Sequence, residues 1–486
     1  MNSKELSRRS FLLTVGASSL LVACGGGSSS STSTTSPTTP QPPANMKVPL
    51  TIDLSQANLP AGAGTVAYAY IIGGLYTDAA LTNFECYRLD ASGNVLAIVP
   101  PAGGSSGDNT IPAHSFPDPN QVVSPTDTAT INATNYPTDW ADYSIPLSVT
   151  GPNYIELGNI DTTNIQGLGT GNNAFSMRIY ISVGVPKLPF TAQASYTAGG
   201  VTYVNPYAGP GFDTNSPGAL CLFDWFECSI DSGRVLNGNS TYVDQFGMPL
   251  IVNAQPGGTP QGELLITREQ AQANIAAFTP ADYAGLSQPV TAPTAYPTGI
   301  SYLRAISPDH LSGLPGPLGT TTFRHYFDAE IASWDNQQIS ITDTVSGTYT
   351  GTPTGGVWTF TYFGGGSAPD PTALTLSYGT ITTGNIWQCS GPLASGGTAQ
   401  KNIGKQILAA FNRGVMSTTL DDGNCPAATT FYPSGTVSNL WSQSFHSWSK
   451  NGQAYGFAYD DVCGANPSFT TTGALTSLSI TLGKML

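Results

Sequence analysis

The 486-residue sequence predicts a mainly β protein into which a helix-bearing α/β part is inserted. Three observations predict it. Short segments alternate apolar and polar residues, the period of half-buried strands. Their connections are rich in Gly, Pro, Asn and Asp, and Gly (55) and Pro (37) alone make up close to a fifth of the chain. The strong helix signals all fall between positions 267 and 414, with strand-like patterning before and after them. The strand spacing suggests a β-sandwich or barrel built from 47–255 together with 450–486. The inserted α/β unit is then 256–449.

Residues 1–24 read as an address. Ser7-Arg8-Arg9-Ser10-Phe11-Leu12-Leu13 resembles a twin-arginine export signal. The short apolar run after it ends in Leu21-Val22-Ala23-Cys24, which resembles a bacterial lipobox. On that reading Cys24 becomes the lipid-bearing N-terminus, and the following Gly25 favours the outer membrane or cell surface. Residues 25–46 are Gly, Ser, Thr and Pro in turn, a composition that cannot bury a core and reads as a tether.

Strands are expected from Val48 to Leu54, Thr65 to Ile72, Val95 to Val99, Tyr154 to Leu157 and Met177 to Ser182. Thr267 with Gln270 makes a capping box ahead of a helix from Ala271 to Phe278. Phe323, Phe327, Ile331 and Trp334 form a helical stripe. Asn402 to Arg413 reads as a further helix, ended by Gly414. Strand-like pattern returns at Tyr455 to Tyr459 and at Leu475 to Leu482, closing the first unit.

The chain is organised around Cys221 to Leu250. Leu222 to Ile230 is an aromatic-rich strand carrying Asp224 and Glu227. Alternation puts Trp225, Glu227 and Ser229 on one face and Phe226, Cys228 and Ile230 on the other. Asp231 to Asn239 reads as turn, and Thr241 to Gln245 as a second short strand carrying Asp244. Folded back as neighbours, the two strands present Glu227 and Asp244 to one cleft. Paired carboxyls are what glycosidic bond cleavage needs.

Asn239-Ser240-Thr241-Tyr242-Val243-Asp244-Gln245-Phe246-Gly247-Met248-Pro249-Leu250 resembles the Asn-x-Ser/Thr-x-Val-Asp-x-x-Gly-x-Pro-Leu signature of glycoside hydrolase family 64. These are β-1,3-glucanases related to thaumatin-like proteins. Arg178-Ile179-Tyr180-Ile181-Ser182, Cys389-Ser390-Gly391, Leu408-Ala409-Ala410-Phe411-Asn412-Arg413 and Gly456-Phe457-Ala458-Tyr459-Asp460-Asp461-Val462 resemble further segments of that family, in family order. The resemblance implies a thaumatin-like sandwich or barrel domain and a smaller α/β domain flanking a wide groove. It also implies β-1,3-glucan as substrate, inversion at the anomeric carbon, and short products of the laminaripentaose type. Glu227 takes the role of general acid and Asp244 that of general base. The family's Glu-x-Thr is here Glu227-Cys228-Ser229, which keeps the hydroxyl.

The candidate substrate contacts are Trp225, Ser229, Asn239, Thr241, His446, Tyr459, Asp460 and Asp461. Asp460 and Asp461 either bind sugar hydroxyls or cap a turn. Trp225, Trp441 and Trp448 either stack on sugar rings or fill the core. His446 is structural or bonds substrate.

A net charge of −14 argues against nucleic acid and against an anionic membrane surface as partners, and fits a neutral polysaccharide. Membrane attachment is expected through the N-terminal lipid alone, and the protein is expected to act as a monomer. No cofactor or metal is expected, since the four His show no His-Glu-x-x-His spacing. No dinucleotide-binding glycine motif lies between a strand and a helix. Cys86, Cys221, Cys228, Cys389, Cys425 and Cys463 permit up to three disulfides, with Cys221 and Cys228 on opposite strand faces and so not paired with each other. The alternatives are a non-catalytic glucan-binding protein of the thaumatin-like type and a structural adhesin. Neither accounts for two acids placed in motif.

Overall fold

The computed structural model describes residues 41–486 apart from 61–64, 79, 103–106, 112–113, 116–138, 161–173, 212–217, 280, 291–295, 309, 311–324 and 370–373. Cys24, the export signal, most of the tether and Phe323 lie outside the described residues.

The alternating segments become two packed sheets. One has four strands in the order Leu250–Gln255, Ser477–Leu482, Pro49–Asp53, Pro152–Glu156. The other has ten, and at its centre Asn83–Leu89, Ala67–Tyr76, Ala174–Val183, Leu222–Asp231 and Leu236–Asn239 are consecutive neighbours. Leu50, Ile52, Val252, Leu478 and Ile480 of the first share one buried core with Ile71, Ile179, Phe226 and Ile230 of the second. Each such side chain contributes about 1.5–3 kcal/mol by leaving water. The last strand lies in the first sheet. Ser477–Leu482 runs parallel to Pro49–Asp53, with Leu50 opposite Leu478, and antiparallel to Leu250–Gln255.

The ten-stranded sheet is buried on its other face too. Tyr70, Ile72, Tyr180, Cys221, Phe223 and Trp225 pack there with Leu188 and Phe190. Leu222–Asp231 is therefore covered on both sides, which explains an apolar run with little polar relief.

A second core lies under the helices. Ile403, Ile407 and Phe411 of the helix Thr398–Asn412 pack with Ile339, Ile341, Tyr349, Trp358 and Phe360 of a five-stranded sheet. The helix Arg268–Ala276 begins at the expected capping box, with Gln270 N donating to Thr267 Oγ1 at 3.3 Å and Thr267 N to Gln270 Oε1 at 2.9 Å. The helix Asp328–Ser333 is a short piece whose flanking Phe327 and Trp334 are buried with Ile331. No helix of the described residues is long and apolar enough to cross a membrane.

Three local expectations are corrected. Leu236–Asn239, read as turn, is a strand paired with Leu222–Asp231, Glu227 lying opposite Asn239. Its Gly238 is there for contact, because a Cβ would sit 2.5 Å from Cζ of Phe226. Thr241 to Gln245 is not a strand against Leu222–Asp231, and only Gln245–Phe246 is strand, pairing with Tyr302–Ile306. The reason is that Tyr242 leaves the sandwich for the second core. Its ring stacks on Phe445 at 4.2 Å, and Trp441 Nε1 donates to its carbonyl at 2.9 Å. Tyr455 to Tyr459 is an apolar loop with no strand pairing. Its alternation comes from wrapping the buried Asp460, whose carboxylate accepts from Gly456 N at 3.0 Å.

Cys425 and Cys463 form a disulfide, whereas Cys86, Cys221, Cys228 and Cys389 are buried and not disulfide-bonded. The bond closes a separation of 38 residues. Replacing both bonded cysteines by Ala is expected to cost about 2–4 kcal/mol of stability. Peptide mapping should find Cys425 linked to Cys463 and the four others alkylated only after unfolding. Any other linkage among the six would contradict the fold described.

Candidate active site

Glu227 sits on the doubly covered strand Leu222–Asp231, directly between Arg178 and Asn239 on the neighbouring strands. Its side chain keeps 32% of its exposure, unusual for this strand, so the carboxyl end reaches solvent. Arg178 Nη2 approaches Glu227 Oε1 at 2.6 Å, and Trp225 Nε1 donates to the same oxygen at 3.1 Å. The guanidinium also lies over the Trp225 ring, 5.3 Å from its centroid. Two donors on one oxygen fix the plane of the carboxyl.

Burial opposes the charge on Arg178. The Glu227 carboxylate, with Tyr180, Tyr207 and Asp244, nonetheless holds the guanidinium well above its ordinary value, and Arg178 Nη1 also donates to the Tyr180 hydroxyl at 3.4 Å. Arg178 thus feels both candidate acids.

Asp244 reaches the same neighbourhood by a different route. Its segment is anchored to the Glu227 strand from behind by Asp224. The Asp224 carboxylate accepts from Gly247 N at 2.8 Å and Met248 N at 3.1 Å, and from Trp225 N at 2.8 Å. Gln245 Nε2 adds a bond to the carbonyl of Phe223 at 2.8 Å. Residue 247 must be Gly, since a Cβ there would lie 1.9 Å from that carbonyl oxygen. The Asp244 side chain itself is 8% exposed, and His310 Nε2 meets its Oδ1 at 2.5 Å.

The remaining expected contacts divide. Asn239 stands opposite Glu227, and its Oδ1 is buried with no hydrogen-bond partner among the described residues, an acceptor suited to a sugar hydroxyl. Thr241 is half-buried, and its Oγ1 accepts from Val243 N at 3.2 Å. Tyr459 is half-buried under Lys405, whose Nζ lies 4.9 Å from the ring centroid, and Asp461 is exposed.

Four expected contacts are instead enclosed. Trp225 is 3% exposed, stacked on Phe223 with Tyr180 tilted against it, so it offers no face to a sugar and acts on Glu227 through its N–H. Ser229 is 3% exposed, set between Ser176 and Asn237 of the flanking strands. Asp460 is fully buried, bonded to Arg413 at 2.9 Å, Ser442 Oγ at 3.0 Å and His446 Nε2 at 3.0 Å. His446 is spent on Asp460 and on the Gly452 carbonyl. These residues build the loop that receives Tyr242, whose N–H donates to the carbonyl of Tyr455 at 2.8 Å. Trp441 is fully buried core.

Arg178 and His310 were not among the expected site residues. A charged residue inside the apolar run from 174 to 183 was a signal for Arg178. Nothing local marks His310, which meets Asp244 across 66 residues.

Burial pushes the Asp224 carboxyl up to about 7, against the pull of its three N–H donors and Arg268. A carboxyl raised on folding is protonated in the folded chain at a pH where the unfolded chain has lost the proton. Its contribution therefore favours folding at the acid end and is lost as pH rises from about 4 to 7, by about 4 kcal/mol at the limit. Asp224→Asn keeps an acceptor oxygen and removes the titration. Thermal melts across that range should show the wild type losing ground steadily to the variant as pH rises. A pH-independent difference would refute the assignment.

Residues 119–482 match the family model of glycoside hydrolase family 64, described as "Beta-1,3-glucanase". No curated relative matches. Among solved structures, the chain is similar to a laminaripentaose-producing β-1,3-glucanase in complex with laminaritetraose. The TM-score is 0.60 at 21% identity, over 90% of this chain and 99% of the other. It is equally similar to a family 64 β-1,3-glucanase domain from Clostridium beijerinckii, with a TM-score of 0.60 at 20% identity, over 92% and 100%. A laminaripentaose-producing β-1,3-glucanase from Paenibacillus barengoltzii, complexed with laminarihexaose, gives 0.53 at 20% identity, over 92% and 76%. At such identities the likeness is one of fold.

Proposed function

Because the chain belongs to the β-1,3-glucanases of glycoside hydrolase family 64, we propose that it cleaves β-1,3-glucan with inversion, Glu227 serving as general acid and Asp244 as general base. The observation that carries this reading is how the segments of the two acids are tied together: Asp224, on the Glu227 strand, accepts from Gly247 N and Met248 N just beyond Asp244. Inversion asks for two carboxyls far enough apart to admit a water, roughly 6.5–9.5 Å.

In the proposed reaction Asp244 takes a proton from water as the water oxygen bonds to the anomeric carbon. The glycosidic bond breaks, and the departing oxygen takes the proton of Glu227. Arg178 and Trp225 both donate to Oε1, so that proton is placed on Oε2. Asn239 and Thr241 supply hydrogen bonds to the sugar. The groove between the two units holds a long chain, and the products are short oligosaccharides. The laminaripentaose-producing enzymes of the same fold support a product of about that length. We place the protein, as a monomer, at the outer membrane or cell surface, held by lipid on Cys24.

Glu227→Gln and Asp244→Asn should each lower reducing-sugar release from laminarin or curdlan by about 10²- to 10⁴-fold, leaving polysaccharide binding largely intact. An activated leaving group should rescue Glu227→Gln and not Asp244→Asn. The first product should be the α-anomer. Activity within about three-fold of wild type in both variants, or a β-anomeric product, would overturn the assignment. A wild type that binds glucan and releases no sugar would make the protein a binding module. Cys24→Ala should move the protein from the membrane to the soluble fraction, and unchanged partition would remove the lipid anchor.

A further inference from the structure

We propose that His310 is the positioning residue of the general base, donating from Nε2 to Asp244 and setting the direction in which that carboxylate faces the attacking water. The inference rests on Asp244 being the base.

The argument begins with the backbone. Gln245 and Phe246 pair with Ile306 and Ala305 of the strand Tyr302–Ile306. The pairing continues one step further, where Ser307 N donates to the carbonyl of Asp244 at 3.0 Å. His310 N donates in turn to the carbonyl of Ser307 at 3.0 Å. Ser307 thus holds Asp244 at its carbonyl, and His310 holds it at its carboxylate.

The side chains are shielded, with 19% exposure for His310 and 8% for Asp244. Little solvent competes for a contact of 2.5 Å. A carboxylate only accepts, so Nε2 carries the hydrogen, an assignment that follows from the partner.

The chemistry needs such a hold. The last torsion of an aspartate side chain is broad and roughly two-fold, so its own rotamer does not aim the lone pairs. A base must lie within hydrogen-bond reach of the proton it takes, in line with the water's attack. Pinning one oxygen to His310 fixes the carboxyl plane, and with it the lone pairs of the second. The proton balance is unchanged. Water gives its proton to Asp244, its oxygen bonds to the anomeric carbon, and the leaving oxygen is protonated by Glu227. The imidazole keeps its hydrogen throughout.

The test uses the full-length enzyme on laminarin, with thermal melts of every variant. His310→Ala should lower kcat by about 10²-fold with KM within about three-fold. His310→Gln retains a donor at similar reach and should recover about ten-fold of that loss. Added imidazole should raise the rate of His310→Ala and leave wild type unaffected. In the Asp244→Asn background, His310→Ala should cost nothing further. A purely structural histidine would lower Tm and rate together, with no recovery by Gln or imidazole, and that outcome overturns the proposal. So does a His310→Ala rate within about three-fold of wild type while Asp244→Asn is inactive, which leaves the base assignment standing. An active Asp244→Asn sinks the base assignment itself, and the positioning role with it.

Discussion

A buried guanidinium holds the two halves of the site in register. Arg268 is fully buried at the first turn of its helix. Its Nε bonds to the carbonyl of Gly247, and its Nη2 to those of Tyr302 and Leu303, both at 2.7 Å. Glu269 neutralises Nη1 and also accepts from Ser301 N at 2.9 Å. Burial lowers the guanidinium to about 10, which leaves it charged at neutral pH. Gly247 lies just beyond Asp244, and Tyr302 opens the strand that leads to His310. Removing one partner from a buried ionic cluster costs about 3–5 kcal/mol. The position of Asp244 therefore depends on a cation that touches no substrate.

The acids are carried by unlike supports. Glu227 rides on a strand covered on both faces, where a change of register would turn Trp225 and Phe226 to the wrong cores. Asp244 rides on a crossing segment held by side chains, Asp224 and Gln245 below and Tyr242 above. The first support is rigid through the sheet ladder, the second through polar groups that must each find a partner. A site assembled this way spans both cores, and neither core alone defines it.

Much of this was legible in the sequence where the cause is local. Leu222 to Ile230 announces a strand by its aromatic-rich apolar run, and Thr267 with Gln270 announces a helix start. Glu227 stands out as an acid in an apolar run. What failed was whatever depends on distant partners. Asn237 and Gly238 look like turn residues until the need of Phe226 for space is known. Tyr455, Phe457 and Tyr459 alternate like a strand because they enclose Asp460. Trp225, Ser229, Asp460 and His446 have the right chemistry for sugar, yet residue type carries no record of burial. His310 has no local signature at all.

The parallel pairing of Pro49–Asp53 with Ser477–Leu482 has a consequence for how the protein is made. The partners are about 430 residues apart, so the first strand emerges from the ribosome long before its neighbour exists. At about 5–20 residues per second it waits roughly 20–90 s. Throughout that time Leu50 and Ile52 have no sheet to enter on that side, and the edge they present is open. The nascent chain can complete its helical core first, and the sandwich closes only once Ser477–Leu482 has been made.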